Sequence, residues 1–219
     1  MQRQSIRWVF LIAAVLSLAG GFTGPASRVW ADDDPEGPVA YKELTDHNPI
    51  MTQRFGADPY AMVYDGRVYV YMTHDVIERD HKGNIKENIY ATINSINCLS
   101  SDDLVNWTDH GWIQVGWEIT EDAWTGITEW ARNSWAPAVT YKKIDGKDRF
   151  FLYFANSGNG IGVLTADHPV GPYTDPLGEA LVTRATPNCA DVVWLFDPAV
   201  LVDDDGKAYL YFGGGVPEG

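Results

Sequence analysis

The chain has 219 residues, a formal net charge of −14 and 45% hydrophobic residues, so it carries enough apolar material for a folded core. A surface this acidic repels nucleic acid and anionic lipid, which argues against a nucleic-acid-binding or membrane-surface protein. It suits an extracellular protein that acts on a neutral polymer. The two cysteines, Cys98 and Cys189, are too few for a disulfide-built scaffold, and the sequence leaves open whether they pair.

The first 31 residues have the pattern of a secretion signal. Arg3 and Arg7 precede an apolar run over 8–19, and small residues follow near a cleavage point at Ala31. The run is too short to cross a bilayer, which takes about 20 apolar residues. We therefore expect a signal peptide over 1–31, a lead-in over 32–47 and a secreted, extracellular domain over 48–219, with no membrane association after cleavage.

One strand-turn-strand unit occurs three times along the rest of the chain. Each copy has an apolar strand, an Asp-Gly turn and an aromatic strand, and the copies span 57–71, 135–153 and 196–214. Asp-Gly between apolar runs is a strong hairpin signal. Segments 96–111 and 160–175 add two further strands to the first and second copies. The pattern predicts an all-β chain built from four-stranded blades, as in a β-propeller.

The first and third copies begin with an acid, whereas the second does not. Asp58 and Asp197 each precede a proline at the start of their unit, and Ala136 precedes a proline at the matching place. Because alanine fills this position in one copy, the architecture does not require a carboxylate there. The two repeated acids therefore indicate a carboxylate-based active site.

Several motifs occur in an ordered set along the chain: GADPYAMVYDGRVYVYMTHD, SSDDLVNWTDHG, NSWAPAV, FFLYFANSG, ADHPVGPYTDP and WLFDPAVLVDDDGKAYLYFGGG. In order and spacing they resemble glycoside hydrolase family 43, the five-bladed β-propeller arabinofuranosidases and xylosidases, over 48–215. The Gly-Ala-Asp-Pro start and the separation of Asp58 from Asp197 resemble the arabinoxylan arabinofuranohydrolases of that family most. The resemblance implies a five-bladed propeller, of which about two and a half blades are present.

The resemblance also implies roles for the two acids. Asp58 matches the general base, which takes a proton from the attacking water, and Asp197 matches the acid that raises the pKa of the general acid and orients it. Inverting glycosidases hold base and acid roughly 6.5 to 9.5 Å apart, with room for a water. The family's general acid is a Glu of a later blade, which we expect beyond residue 219, because Glu218 comes too early in the pattern. We expect this N-terminal part to be inactive alone.

Three further residues are candidates for substrate binding. Trp135 and Phe196 could stack on a sugar ring, or pack between blades. Asn133 could bond a sugar hydroxyl, although Asn in loops more often caps a turn. His74 and Asp75, at the end of a strand, are expected to form a structural pair.

The sequence indicates no required cofactor. The histidines lack the spacing of a zinc site, and the acidic run 203–205 precedes Gly206 as a solvated hairpin turn and not as a calcium loop. The resemblance is compatible with calcium in the axial channel, but no ligand in this chain is assignable. No metal site is therefore predicted.

The expected function is that of a secreted inverting glycoside hydrolase that cleaves α-L-arabinofuranosyl side chains from arabinoxylan. Its partner is a plant cell-wall polysaccharide, arabinoxylan or arabinan, and no nucleic acid. The alternatives are a β-xylosidase or arabinanase of the same family, or a non-catalytic carbohydrate-binding propeller. The linkage, any appended carbohydrate-binding module and the oligomeric state stay open.

Overall fold

The computed structural model describes residues 48–86, 90–119 and 124–215. Within these ranges the regular structure is made of strands, apart from one 3-10 turn at Tyr90–Thr92, which confirms the predicted all-β class. None of the described segments forms a helix long and apolar enough to cross a membrane. The predicted signal peptide, the lead-in and Glu218 lie outside the described residues.

Blade 1 is a four-stranded antiparallel sheet. Its strands follow each other in chain order and are β1 (Ala57–Tyr64), β2 (Arg67–Thr73), β3 (Ser95–Ser101) and β4 (Thr108–Gln114). The four strands per unit that the sequence predicts are thus all present in this blade. A short two-stranded sheet, β5 (Glu118–Ile119) and β6 (Trp124–Thr125), follows it.

Blade 2 has three strands where the sequence predicts four. They are β7 (Trp135–Ile144), β8 (Lys147–Ala155) and β9 (Ile161–Ala166), again in chain order. The fourth strand is reduced to two isolated antiparallel bridges, Thr165 with Thr174 and Ile161 with Val182. Pro176 lies between the two bridges, and a proline has no N–H to donate to a ladder, so the outer edge does not form a full strand.

Blade 3 contributes its two innermost strands to the described part of the chain. These are β10 (Phe196–Val202) and β11 (Ala208–Gly213), an antiparallel pair. Strand β7 packs against both β1 and β10. The Tyr60 hydroxyl on β1 also donates a hydrogen bond to the Val200 carbonyl on β10, at 3.0 Å. The first strands of the three blades are therefore held side by side.

The main core lies between blades 1 and 2. Its largest fully buried side chains include Tyr71, Phe150 and Phe154. A buried phenol needs a hydrogen-bond partner. The hydroxyls of Tyr71 and Tyr173 both donate to the Pro169 carbonyl, at 2.7 and 2.8 Å. This shared acceptor ties the second strand of blade 1 to the outer edge of blade 2.

Two of the three Asp-Gly hairpins share a backbone conformation. Asp65 and Gly66 have φ of 48° and 74°, and Asp145 and Gly146 have φ of 50° and 80°. Two consecutive left-handed residues are typical of a type I′ turn, whose twist matches that of the strands. The third hairpin differs, because the acidic run 203–205 lengthens the turn before Gly206 and lies exposed to solvent, as predicted.

Replacement of Gly66 by alanine tests the cost of this turn. An added Cβ would meet no atom within 4 Å, so the penalty comes from the left-handed φ of 74° alone. We expect Gly66→Ala to lower the free energy of unfolding by about 1 to 2 kcal/mol in denaturant titrations of the full-length protein. Asp65→Asn is the control, because asparagine tolerates the left-handed conformation; equal stability of the two variants would contradict the assignment.

Candidate active site

The three repeated units begin with the same unusual backbone. Asp58, Ala136 and Asp197 have φ of 50°, 43° and 50°, and each lies at a register shift in the first strand of its blade. This left-handed conformation is uncommon for residues other than glycine. Because Ala136 adopts it with only a methyl side chain, the conformation belongs to the start of a blade and does not depend on a carboxylate. We call this position the slot of each blade.

A cavity of about 340 Å³ lies at the slots of blades 1 and 3. The residues that line it are Ala57, Asp58, Thr73, Asp75, Tyr90, Ile93, Trp135, Phe196 and Asp197. Four of the five site residues predicted from the sequence are among them. A larger cavity of about 620 Å³ beside residues 49–56 has no carboxylate in its lining, so it offers no comparable chemistry.

The two slot carboxylates have different surroundings. Asp58 Oδ2 accepts a hydrogen bond from the Thr73 hydroxyl at 3.0 Å. Desolvation, and then the negative charge of Asp58, raise the pKa of Asp197 above its ordinary value. Within the described part of the chain, no side chain donates a hydrogen bond to Asp197. Both residues are exposed to solvent, so water screens the interaction between them.

Trp135 and Tyr90 form one aromatic wall of the cavity. Their ring centroids are 5.9 Å apart with an interplanar angle of 63°. The indole N–H of Trp135 donates to the Tyr90 carbonyl at 3.2 Å, so its polar atom is already bonded. The Tyr90 side chain is 63% exposed. Tyr90, in the long insertion between β2 and β3, was not among the site residues predicted from the sequence.

Phe196 also lines the cavity and packs beside Trp194, with ring centroids 6.1 Å apart. A Cβ on Gly158 would lie 2.3 Å from the Trp194 ring, so only glycine leaves room for the indole there. Trp194 is nevertheless 51% exposed. The sequence analysis missed Trp194, yet residues two apart on an extended chain point to the same side, and this spacing from Phe196 could have indicated it.

Asn133 does not line the cavity, contrary to the predicted sugar contact. Its side chain is buried, and its amide nitrogen lies 3.1 Å from each of three backbone carbonyl oxygens, those of Tyr90, Ala91 and Ile93. Donors that satisfy these carbonyls are not available to a ligand. Asn133 instead holds the backbone of the turn that carries Tyr90, and through that backbone it supports the aromatic wall.

His74 and Asp75 have different surroundings, although the negative charge of Asp75 acts on the His74 ring. His74 Nδ1 is hydrogen-bonded to the Ser95 hydroxyl at 2.9 Å, while burial, and then the positive charge of Arg54, lower the pKa of the ring. This agrees with a structural role for His74. Asp75, in contrast, lines the cavity and adds a third carboxylate to it.

Metal and thiol chemistry find no site in the described ranges. Over residues 48–86, 90–119 and 124–215, no group of three or more His, Cys, Asp or Glu side chains could hold a metal ion. Cys98 and Cys189 are both buried free thiols, and burial raises the pKa of Cys98 to about 12.

The sequence profile of glycosyl hydrolases family 43 matches residues 8–218. The chain belongs to glycosyl hydrolase family 43. Among its relatives, arabinoxylan arabinofuranohydrolases of Paenibacillus polymyxa and Bacillus subtilis (strain 168) are 61% and 57% identical to it over 78% and 80% of the chain. The chain spans only 27% and 34% of the length of these two family 43 relatives.

Solved family 43 structures resemble this fold. A Bacillus subtilis arabinoxylan arabinofuranohydrolase in complex with cellotetraose superposes with a TM-score of 0.74 at 58% identity, over 78% of this chain and 35% of that one. An α-L-arabinofuranosidase from Clostridium thermocellum ATCC 27405 superposes with a TM-score of 0.55 at 43% identity, over 79% of this chain and 52% of that one. The partial propeller predicted from the sequence is thereby confirmed.

The raised pKa of Asp197 predicts how the stability of the folded protein depends on pH. A carboxyl whose pKa is raised by folding destabilises the folded protein once it is charged, so this cost appears as the pH rises from its ordinary pKa of 3.8 through the folded-state pKa. We expect Asp197→Asn to raise the thermal unfolding midpoint of the full-length protein at pH 7. The gain should vanish below about pH 3, where the carboxyl is protonated in both states.

Asp145→Asn, in the exposed hairpin of blade 2, controls for the loss of one negative charge in this comparison. A lower unfolding midpoint for Asp197→Asn at pH 7, or an equal gain in the control, would contradict the prediction.

Proposed function

We propose that the protein containing this chain is an exported, inverting glycoside hydrolase that removes α-L-arabinofuranosyl side chains from arabinoxylan. One observation carries the proposal: Asp58 and Asp197 line the same cavity, and aromatic side chains line it with them. The identity of 61% and 57% to two arabinoxylan arabinofuranohydrolases supports the substrate. Export rests on the signal pattern over 1–31.

Asp58 is the proposed general base. An inverting hydrolase needs a carboxylate that takes a proton from water on the face of the sugar opposite the leaving group. Asp58 is exposed to the cavity, and the hydroxyl of Thr73 holds one of its oxygens. The water attacks the anomeric carbon as its proton passes to Asp58, while the bond to the leaving oxygen breaks.

Asp197 is the proposed modulator of the general acid. A negative charge close to a second carboxyl opposes ionisation of that carboxyl, which keeps it protonated and able to donate near neutral pH. Besides desolvation, the negative charge of Asp58 raises the pKa of Asp197, so a charge at one slot acts on a carboxyl at another. By the family resemblance, the proton donor is a Glu located after residue 219 in sequence.

The size and lining of the cavity suit one sugar unit. A cavity of about 340 Å³ falls within the range of ligand pockets in proteins and has room for a sugar unit. Trp135 and Phe196 both line it, and an aromatic face packs well against the apolar face of a sugar ring. A side-chain arabinose would enter this cavity while the xylan chain stays outside.

Replacing Asp58 tests the base. Asp58→Asn keeps the size of the side chain but cannot accept the proton from water, so we expect kcat on arabinoxylan to fall about 100- to 10,000-fold. The measurement is arabinose release by the full-length enzyme. Asp145→Asn should retain wild-type activity. A wild-type protein that binds xylan without releasing arabinose would instead support the carbohydrate-binding alternative, and release of xylose would support a β-xylosidase.

Replacing Trp135 tests the aromatic wall. We expect Trp135→Ala to lower kcat/KM for arabinoxylan on the order of fivefold, because aromatic packing contributes about 1 kcal/mol. Trp112→Ala is the matched control, since Trp112 is 54% exposed on β4 and does not line this cavity. Equal losses in the two variants would remove Trp135 from the site.

A further inference from the structure

Thr73 links the backbone of blade 2 to the proposed base in blade 1. It is the last residue of β2, its side chain is buried, and it lines the cavity. Its hydroxyl oxygen lies 2.8 Å from the backbone nitrogen of Ala136 and 3.0 Å from Asp58 Oδ2. One hydroxyl therefore contacts the slots of two neighbouring blades.

The chemistry of the three groups fixes the direction of both hydrogen bonds. The backbone N–H of Ala136 can only donate, so the Thr73 oxygen accepts there. A hydroxyl has a single proton, and this proton then points to Asp58 Oδ2. The hydroxyl therefore donates to Asp58 Oδ2, which fixes the orientation of this carboxyl group and leaves Oδ1 available for another partner.

The repeat provides an internal comparison for Thr73. Thr73 pairs in the sheet with Ala57, the residue before the slot of blade 1. The residues at the same register position are Ala155 in blade 2 and Gly213 in blade 3. Since neither has a hydroxyl, the blade does not need one at this position, and the hydroxyl of Thr73 must be explained by its neighbours.

We propose that Thr73 is a positioning residue that orients the Asp58 carboxylate, with the Ala136 N–H as its anchor. The inference rests on the proposed function, in which Asp58 is the base. It also gives the slot of blade 2 a purpose: Ala136 contributes a main-chain donor, for which its left-handed backbone matters and its side chain does not. The backbone of blade 2 thereby helps to fix the orientation of the proposed base in blade 1.

The first experiment compares Thr73→Val with Thr73→Ser in the full-length enzyme. Valine has nearly the same shape but no hydroxyl, so we expect kcat to fall on the order of tenfold with KM unchanged, because the hydrogen bond from the hydroxyl to the base carboxylate is lost. Serine restores the hydroxyl and should recover most of the lost kcat. Thr140→Val, on β7 and outside the cavity lining, is the matched control for the substitution itself.

A second pair covers the case in which the valine variant does not fold, since it leaves the Ala136 N–H without its acceptor. Thr73→Cys and Thr73→Ser differ only in the weak hydrogen bonding of a thiol, and the cysteine variant should show the larger loss of kcat. A double-mutant cycle completes the test: in the Asp58→Asn background, loss of the Thr73 hydroxyl should cost no further activity.

The outcomes separate this inference from the proposed function. Wild-type kcat in both the valine and cysteine variants, a rise in KM in place of a fall in kcat, or an undiminished loss in the Asp58→Asn background would each overturn the role of Thr73 while the hydrolase assignment stands. Full activity of Asp58→Asn itself would overturn both. A loss of kcat that serine recovers and that disappears without Asp58 supports the inference.

Discussion

The site depends on the way in which each innermost strand begins. A left-handed residue at a register shift starts β1, β7 and β10, and a proline follows it each time. The proline has no N–H to leave unpaired, so the ladder can be interrupted there at little cost. Because the three strands pack side by side, the interruptions coincide in space and leave an opening lined by slot side chains. The backbone conformation at the slots therefore forms the opening independently of which side chains the slots carry.

On this common backbone, small differences in side chain set the chemistry. The slots carry Asp58, Ala136 and Asp197, and the residue that pairs beside the slot of blade 1 is Thr73. Two carboxylates in one cavity would otherwise be equivalent. Asp58, however, accepts a hydrogen bond from the Thr73 hydroxyl, whereas the pKa of Asp197 is raised. Groups whose environments differ in this way can take different roles in acid and base chemistry. The repeat therefore gives the two carboxylates equivalent backbone positions, and the residues around each carboxylate make their chemistry different.

Features encoded in short stretches of sequence could be predicted, whereas those that join distant stretches could not. The hairpins follow from local Asp-Gly turns, and the slot acids follow from comparing three copies. The partners of Asn133 could not be predicted, because its amide bonds to carbonyls about forty positions earlier in the chain, and neither could the link from Thr73 to Ala136. The fourth strand of blade 2 is reduced to two bridges with Pro176 between them, and the effect of a proline depends on where the ladder would have run.

The two buried thiols have a practical consequence. Thiolate is the reactive form of cysteine, and a pKa of about 12 leaves almost none of it at neutral pH for Cys98, while burial shields Cys189. These two cysteines should therefore react only slowly with maleimides in the folded protein. A cysteine introduced beside the half-exposed Trp194 would label faster than either of them, and a fluorophore attached there would report the binding of a ligand near Phe196.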